Sequence, residues 1–336
     1  MFTIILIWRA FECATRRENP SPTPKANIIR VNGAGCRRLD AVTLRFACLS
    51  KNNTNPAYEG ARIGASLVAE RLGAKVTHYV PENPDDVAQQ AELLQKAIAS
   101  LPDAILISPA HPSALDGQLC QIGDIPLIYF VCNSDAVPAC TFVTSNNYEL
   151  AHGIADTLIE ALGGSGRLVI VDGAENSPTT APRTHGFLDA IAAHSEIHLA
   201  AQYCGEYQKK DARRGMIELL DQGVEFEGVL VANDFMALGV IEALEAAGRD
   251  VPAVGINATP DAIQALQERR LLATASFNAM AMACIAAEAA YRIVIGEDVP
   301  KIIELPVETV DRSNCARWNL PYEERPLPEW GEVVGD

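Results

Sequence analysis

Short polar side chains follow most of the apolar runs in this sequence, where they could bind a small molecule. Most are amides, hydroxyls and carboxyls, in segment 50–55 and at Ser108, Asn133, Asp172, Asn233, Asp234 and Asn257, together with the thiol of Cys132. Ligands of open parallel sheets bind beyond the carboxyl ends of the strands, so this pattern predicts a site for a neutral, hydroxyl-rich ligand. The alternative for each residue alone is a helix N-cap, and for Asn233 and Asp234 it is an equally good explanation.

Patterns that carry catalysis or bind a cofactor are absent from the sequence. It has neither Gly-x-Gly-x-x-Gly after a strand nor a Gly-x-x-x-x-Gly-Lys phosphate loop. The Gly-Gly-Ser-Gly segment at 163–166 predicts a turn before a strand, not a nucleophile elbow. His194 and His198 have a metal-ligand spacing, but Ser195 and Glu196 between them predict a surface turn. We therefore expect no cofactor, no metal and no enzymatic activity, with a doubly wound enzyme as a remaining alternative.

The composition favours an acidic protein of two domains. The chain has 336 residues, 27 Lys and Arg against 43 Asp and Glu, a formal net charge of −16 and 49% hydrophobic residues. This charge repels a phosphate backbone, so no nucleic-acid partner is expected. The apolar content excludes global disorder, and no apolar run reaches the ~18 residues of a membrane span. Nine cysteines without a Cys-x-x-Cys pair argue against a disulfide framework or zinc site, and Cys48 is expected to be a buried thiol.

Apolar runs alternate with amphipathic segments from Thr43 onward, which predicts an α/β fold with parallel sheets covered on both faces. The predicted strands are 44–49, 75–80, 104–107, 127–131, 168–171, 197–203, 229–232 and 253–256. Helical spacing of apolar residues ends at Gly73 and Gly248, and another helical segment follows Asp85 and Asp86. So many strand–helix units predict two doubly wound domains, and a single eight-stranded barrel is the alternative.

The first 41 residues differ from the rest, and we expect them to lie outside the fold. An apolar run at 2–8 has no basic residue before it and ends at Arg9. A secretory signal peptide has a positive start and a longer apolar segment, so this would be a poor one. Residues 16–25 are rich in Pro, Ser, Asn and charge and predict no regular structure. Either a poor signal segment or a translation start near Val42 accounts for the pattern.

Seven short motifs occur in a characteristic order along residues 43–310. They are Asn-Pro-Ala-Tyr at 55–58, Asp-Ala-Ile-Leu-Ile-Ser-Pro at 103–109, Ile-Pro-Leu-Ile at 125–128, Thr-Ser-Asn-Asn at 144–147, Arg-Thr-His-Gly-Phe at 183–187, Asn-Asp-Phe-Met-Ala-Leu-Gly at 233–239 and Val-Gly-Ile-Asn at 254–257. With them the chain resembles the periplasmic sugar-binding proteins of the ribose-binding type, whose fold is shared by the ligand domain of lactose-repressor-like regulators. The resemblance favours two domains over the barrel.

The resemblance implies two doubly wound α/β lobes, joined by three crossings near Ser145, Phe277 and Leu305, that hinge shut around one small ligand. It places residues 43–145 and 278–305 in the N-terminal lobe. Residues 146–277 and 306–325 form the C-terminal lobe, and residues 326–336 are a tail. Residues 1–41 remain an extension before the first lobe.

The resemblance also implies which residues contact the ligand. Asn55 and Tyr58 match first-loop contacts, and Arg183 matches an arginine that donates to ligand oxygens; a surface salt bridge is its alternative. Tyr207 matches a ring that packs on the sugar, or it is an ordinary half-buried tyrosine. Asn233 matches an amide before a helix. The full predicted set is Asn55, Tyr58, Ser108, Cys132, Asn133, Asn147, Arg183, Tyr207, Asn233, Asp234, Asn257 and Phe277.

Four positions depart from the ribose-binding pattern. Val131 and Cys132 stand in place of an Asp-Arg pair, Asn257 in place of an aspartate, and Phe277 in place of a frequent glutamine. These changes remove charged partners for neighbouring hydroxyls and add apolar surface. We therefore expect a nearly neutral pocket and a ligand less polar than ribose, or with fewer hydroxyls.

The function favoured by this resemblance is that of a monomeric solute-binding protein in the periplasm, which delivers a small neutral sugar-like or polyol-like ligand to an ABC permease. A cytosolic sensor with the same fold is the alternative, because the poor signal segment and the free cysteines both fit a reducing compartment. Direct DNA binding is not expected, because Pro20, Pro22 and Pro24 stand where a repressor has its helix-turn-helix.

Overall fold

The computed structural model describes residues 43–335, which form two lobes, each built on a six-stranded sheet. The first sheet contains β1 (Arg45–Leu49), β2 (Lys75–Tyr79), β3 (Ala104–Ile107), β4 (Leu127–Phe130), β5 (Thr141–Thr144) and β11 (Ile302–Glu304). The second contains β6 (Gly166–Asp172), β7 (Ile197–Cys204), β8 (Gly228–Val231), β9 (Ala253–Ile256), β10 (Ala273–Ala275) and β12 (Thr309–Val310). The predicted extension at residues 1–41 lies outside the described residues.

Both sheets have doubly wound topology and open edges, which confirms the predicted fold class and rules out the barrel. The strand orders are β11-β5-β4-β3-β1-β2 and β12-β10-β9-β8-β6-β7. Every pair is parallel except β10 with β12. All eight predicted strands are present. The four that were not predicted, β5, β10, β11 and β12, have only two to four residues, too few to show a period.

Helices cover both faces of each sheet. Those of the first lobe are α1 (Pro56–Arg71), α2 (Val87–Ala99), α3 (Asp116–Leu119) and α9 (Ala279–Ile295). Those of the second are α4 (Asn147–Ala161), α5 (Thr180–Ala192), α6 (Lys209–Asp221), α7 (Asp234–Ala246) and α8 (Pro260–Gln267). Successive residues of β1 point to opposite sides, so Phe46 belongs to the core beneath α1 and α9, and Ala47 to the core beneath α2.

The chain passes three times between the lobes. It leaves the first sheet after β5, returns from β10 to α9, and leaves β11 for β12. Ser145, Phe277 and Leu305, the predicted crossing positions, lie in these three connections. All three are buried, which holds the connections in the interior of the molecule.

A C-terminal strap, defined here as residues 311–335, adds a further link between the lobes. It contains the 3₁₀ turns Cys315–Trp318 and Tyr322–Glu324 and the short helix α10 (Trp330–Val333). Tyr322 is buried against α1, where a Cβ on Gly60 would meet its ring. Arg325 donates a 3.1 Å hydrogen bond to the Ala258 carbonyl of the second lobe. The segment therefore spans both lobes, whereas the sequence predicts only C-terminal lobe structure followed by a tail.

Cys48, Cys132, Cys284 and Cys315 are buried free thiols, as predicted for Cys48, and burial raises the pKa of Cys48 to about 12. The turn predicted between His194 and His198 is present, and within residues 43–335 no cluster of metal-ligating side chains occurs. In the same range, no helix has both the length and the apolar character needed to cross a membrane.

Candidate functional site

A cavity lies between the lobes, at the carboxyl edges of both sheets. Side chains of the first lobe, the second lobe and the hinge line it together. The lining residues are Lys51, Asn52, Asn55, Ala57, Tyr58, Asp85, Val131, Thr179, Arg183, Tyr207, Asn233, Asn257, Phe277 and Ala279. The lobes meet across it, because Lys51 Nζ donates a 3.2 Å hydrogen bond to Ser177 Oγ in the second lobe.

Two helix-capping asparagines supply hydrogen-bond donors to the cavity. Asn55 Oδ1 accepts from the Ala57 backbone N–H at 3.0 Å at the start of α1. Asn233 Oδ1 accepts from the Met236 N–H at 2.8 Å at the start of α7. Since each cap uses the oxygen, the Nδ2 amino groups of both asparagines are left without a hydrogen bond to the described residues. Capping and ligand binding, which were alternatives in the sequence, are compatible here because they use different atoms.

Arg183 enters the cavity from α5 and is held in place by several contacts. Its Nε donates to Asn147 Oδ1 at 2.9 Å and its Nη1 to the Ala232 carbonyl at 2.6 Å. The guanidinium carbon lies 4.6 Å from the centre of the Phe277 ring, a cation–π geometry. Within the described part of the chain Arg183 makes no ion pair, and its Nη2 makes no hydrogen bond. The predicted alternative, a surface salt bridge, is therefore wrong, because this arginine is buried.

Two tyrosines form opposite walls of the cavity. Tyr58 is buried and its hydroxyl lies 3.3 Å from Ser108 Oγ; burial raises the pKa of this phenol, so it is neutral at physiological pH. Tyr207 has a φ of 52°, which an L-residue rarely adopts, and its hydroxyl is 2.8 Å from Thr179 Oγ1. This backbone conformation and hydrogen bond fix the ring over Gly173, where a Cβ would collide with it.

Asn257 and Phe277 close the cavity at the hinge. Asn257 has a φ of 130°, a backbone conformation unusual for a non-glycine residue, and its Nδ2 donates to the Phe277 carbonyl at 3.2 Å. Its Oδ1 is consequently available as an acceptor. Phe277 gives the cavity an apolar face at the second crossing.

Lys51 is a lining residue that sequence reasoning missed. Its side chain is 5% exposed and its Nζ lies 3.5 Å from Asp85 Oδ1. Burial lowers the pKa of Lys51, but Cys132, Tyr58, Asp85 and Tyr207, in decreasing order of effect, raise it by more, so the pKa lies above its ordinary value. The ion pair with Asp85 stabilises the ammonium in its charged form. Segment 50–55 was predicted as a polar loop at the site, but lysine side chains are usually exposed, so nothing marked this one.

Sequence reasoning also missed other residues that line the cavity. Asn52 Nδ2 donates a 2.6 Å hydrogen bond to Asp85 Oδ2, and Asp85 has a left-handed φ of 59°. Thr179 supports Tyr207, and Ala57 and Ala279 supply small apolar contacts. Asp85 was interpreted only as part of a helix start; Asp86 is the cap that accepts from Gln89 N–H, which leaves Asp85 free to face the cavity.

Five predicted site residues do not line the cavity. Ser108 lies behind Tyr58, and Asn147 lies behind Arg183. Cys132 belongs to the core of the first lobe, because a tight turn with a φ of 66° at Val131 directs the Val131 side chain to the cavity instead. The other two are Asn133 and Asp234.

Asn133 and Asp234 are each held by neighbours outside the cavity. Asn133 Nδ2 donates to the Ser134 carbonyl, beside a surface groove. Asp234 is fully buried and accepts from Thr259 N–H at 2.9 Å and from Thr274 Oγ1 at 2.6 Å. Burial raises its pKa to about 6, although these hydrogen bonds lower it. Asp234 thus joins α7 to the strand ends and does not face a ligand.

Comparison with known proteins places this architecture among binding proteins. A family model described as a periplasmic binding protein domain matches residues 46–298. The chain is 30% identical to a putative rhizopine-binding protein of Rhizobium meliloti over 70% of this chain and 79% of that protein. It is 29% identical to a D-apiose import binding protein of Actinobacillus succinogenes over 69% of this chain and 76% of the relative.

Solved structures agree on the fold. An ABC transporter solute-binding protein from Bacillus halodurans with bound myo-inositol has a TM-score of 0.77 at 25% identity, covering 83% of this chain and 98% of that one. A periplasmic solute-binding protein from Actinobacillus succinogenes with bound D-allose also has a TM-score of 0.77, at 24% identity, with 81% and 98% covered. By its matched domain, its relatives and its two-lobed fold, the chain belongs to the periplasmic binding protein family.

Proposed function

We propose that this protein is the solute-binding component of an ABC transporter and binds a small polyhydroxylated ligand between its lobes. The observation that carries the proposal is the cavity itself, in which polar side chains of both lobes and an apolar hinge residue surround one buried space. Relatives of this chain bear the names of rhizopine-, apiose- and ribose-binding proteins, which supports a small polyhydroxylated ligand.

Lobe closure is the mechanism that this arrangement supports. Lys51, Asn55 and Tyr58 belong to the first lobe, and Arg183 and Asn233 belong to the second. A ligand that contacts both sets favours the closed form, because only closure completes all of its hydrogen bonds. The permease then recognises the closed form. The same proposal assigns the protein to the periplasm as a monomer that binds without catalysis.

Isothermal titration calorimetry tests the proposal with a panel of ribose, apiose, allose and myo-inositol, extended to sugar acids. We expect a dissociation constant in the micromolar range or below for at least one compound. Arg183→Ala should weaken that binding by about tenfold or more, because it removes a buried charged donor. The matched control is Arg214→Ala, since Arg214 is 67% exposed on α6 and does not line the cavity.

Two results of these titrations would contradict the proposal. If no sugar, polyol or sugar acid binds at about 10 mM, a transport-binding role is excluded. Full affinity in both Arg183→Ala and Asn233→Ala would show that the ligand binds elsewhere. Fractionation of the native cells checks the compartment, and recovery of the protein only in the cytosol would favour the sensor alternative.

A further inference from the structure

The cavity contains more positive than negative charge. Among residues 43–335, two cations line it, Lys51 and Arg183, and one carboxylate, that of Asp85. Asp85 Oδ2 already accepts a 2.6 Å hydrogen bond from Asn52 Nδ2, and its Oδ1 forms an ion pair with Lys51 Nζ at 3.5 Å. The nearby carboxylate of Asp234 is turned away toward Thr259 and Thr274. A ligand therefore meets an excess of cationic groups, in contrast to the nearly neutral pocket that the sequence predicts.

Several hydrogen-bond donors of the cavity have no partner within the described part of the chain. Asn55 Nδ2, Asn233 Nδ2 and Arg183 Nη2 have no acceptor among residues 43–335. Lys51 Nζ adds a further donor, because an ammonium has three hydrogens and only two neighbours here. Asn257 Nδ2 donates to the Phe277 carbonyl, so the amide oxygen Oδ1 of Asn257 is available to the cavity as an acceptor. The unpaired donors therefore suit a ligand group that presents several acceptor oxygens close together.

Two of the four sequence departures remove a carboxylate from the cavity, whereas a third, Cys132 in place of an arginine, removes a cation. Where the ribose-binding pattern has aspartates, this chain has Val131 and Asn257, and both line the cavity. Each change removes a carboxylate that accepts from sugar hydroxyls. Because Lys51 remains buried and charged beside them, the loss of acceptors leaves a site suited to a group that only accepts.

We propose that the ligand is a carboxylate-bearing sugar derivative, an aldonate or uronate, whose carboxylate is held by Lys51 and Arg183. The inference rests on the proposed function and specifies its ligand class. A carboxylate offers acceptors without hydrogens, which matches the unpaired donors, and its charge compensates two cations that belong to different lobes. An anion shared by both lobes therefore favours closure.

Carboxylates outside the cavity do not cancel the preference of the site for an anionic ligand. Glu175, Glu206 and Asp211 lie in a neighbouring groove beside Lys51. Glu175 and Glu206 are exposed to solvent, and the half-buried Asp211 is paired with Arg214 at 2.9 Å. Water and salt screen such charges strongly, whereas charges inside the cavity are screened much less. The selectivity for an anion is thus decided by the buried groups.

Calorimetric titration of matched pairs tests the inference: D-gluconate against D-glucose, D-ribonate against D-ribose, and D-galacturonate against D-galactose. We expect the acid of at least one pair to bind about tenfold or more tighter than its neutral partner. Lys51→Met keeps the length of the side chain without its charge. It should weaken binding of the acid by about tenfold and change binding of the neutral sugar by less than about threefold.

Lys210→Met is the matched control, because Lys210 lines only the neighbouring groove and is exposed. It should leave both affinities unchanged; an effect equal to that of Lys51→Met would mean that general surface charge is responsible. Circular dichroism and a melting temperature establish that each variant folds, and the wild-type pairs decide the question without any variant. Micromolar binding of a neutral sugar with no gain for its acid would overturn the inference while the proposed function stands. Failure of every acid and every neutral sugar to bind would instead refute the proposed function.

Discussion

Asp234 gives the sharpest test of the physical reasoning, because it is a fully buried carboxyl group whose pKa is raised to about 6. Its unfolded-state pKa is 3.8. The folded protein therefore holds the proton more tightly than the unfolded chain does. The stability that this group provides is fully present below about pH 4 and is lost as the pH rises through about 6. The difference between these pKa values corresponds to about 3 kcal/mol.

The perturbation is Asp234→Asn, which has nearly the same shape but does not titrate. Its Oδ1 can keep the hydrogen bond from Thr259 N–H, and its amino group can donate to the Thr274 hydroxyl. Between about pH 4 and about pH 8, titration of Asp234 should lower the unfolding free energy of the wild type by about 3 kcal/mol. The variant lacks this titrating group and should not show this loss. Relative to the wild type, the variant thus becomes steadily more stable as the pH rises.

Urea unfolding followed by circular dichroism at several pH values measures this difference. Asp261→Asn is the control, because Asp261 is exposed at the start of α8 and carries the same change of charge. Its unfolding free energy should follow the wild type within about 0.5 kcal/mol. If Asp234→Asn and the wild type kept a constant difference across this range, the burial of Asp234 would not govern its protonation, and the reasoning would be refuted.

Three further changes test the site and the strap. Gly173→Ala places a Cβ against the buried Tyr207 ring, so calorimetry should show about tenfold weaker binding of the tightest ligand in the panel, and the melting temperature should fall because the ring must shift; an unchanged affinity would mean that the ring does not contact the ligand. Asn147→Ala removes the acceptor of Arg183 Nε and should likewise weaken binding by about tenfold, and an unchanged affinity would mean that Asn147 does not position the arginine. Tyr322→Ala empties a buried site and should lower the unfolding free energy by about 3 kcal/mol in urea titrations; a loss below about 1 kcal/mol would show that the strap does not pack as described.

The fold was largely predictable because its determinants are local. Runs such as Ala104–Ile107 are short, wholly apolar and followed by a polar residue, which is typical of a buried parallel strand. Asn55 and Asn233 could be found for the same reason, since a capping residue directly after a strand marks both the helix start and the sheet edge.

The rest of the site depends on contacts that no local pattern records. Lys51 becomes a cavity residue only because Ser177, on the other lobe, accepts its hydrogen bond. Asp85 faces the same space because its backbone adopts a left-handed conformation next to the true cap at Asp86. The strap has the Pro-rich composition of a tail, and its burial follows from the α1 and Ala258 surfaces that receive it.

The strap has a consequence for how occupancy would be reported to a partner. An opening that separates α1 from Ala258 would break either the Tyr322 packing on α1 or the Arg325 hydrogen bond to Ala258, and to that extent the strap would favour closure before any ligand binds. A larger closed population lowers the conformational cost of binding and tightens the apparent affinity. The same bias lets empty molecules compete with loaded ones for the same docking surface. Strong strap contacts therefore tighten ligand binding, whereas weak strap contacts let a partner distinguish loaded molecules from empty ones.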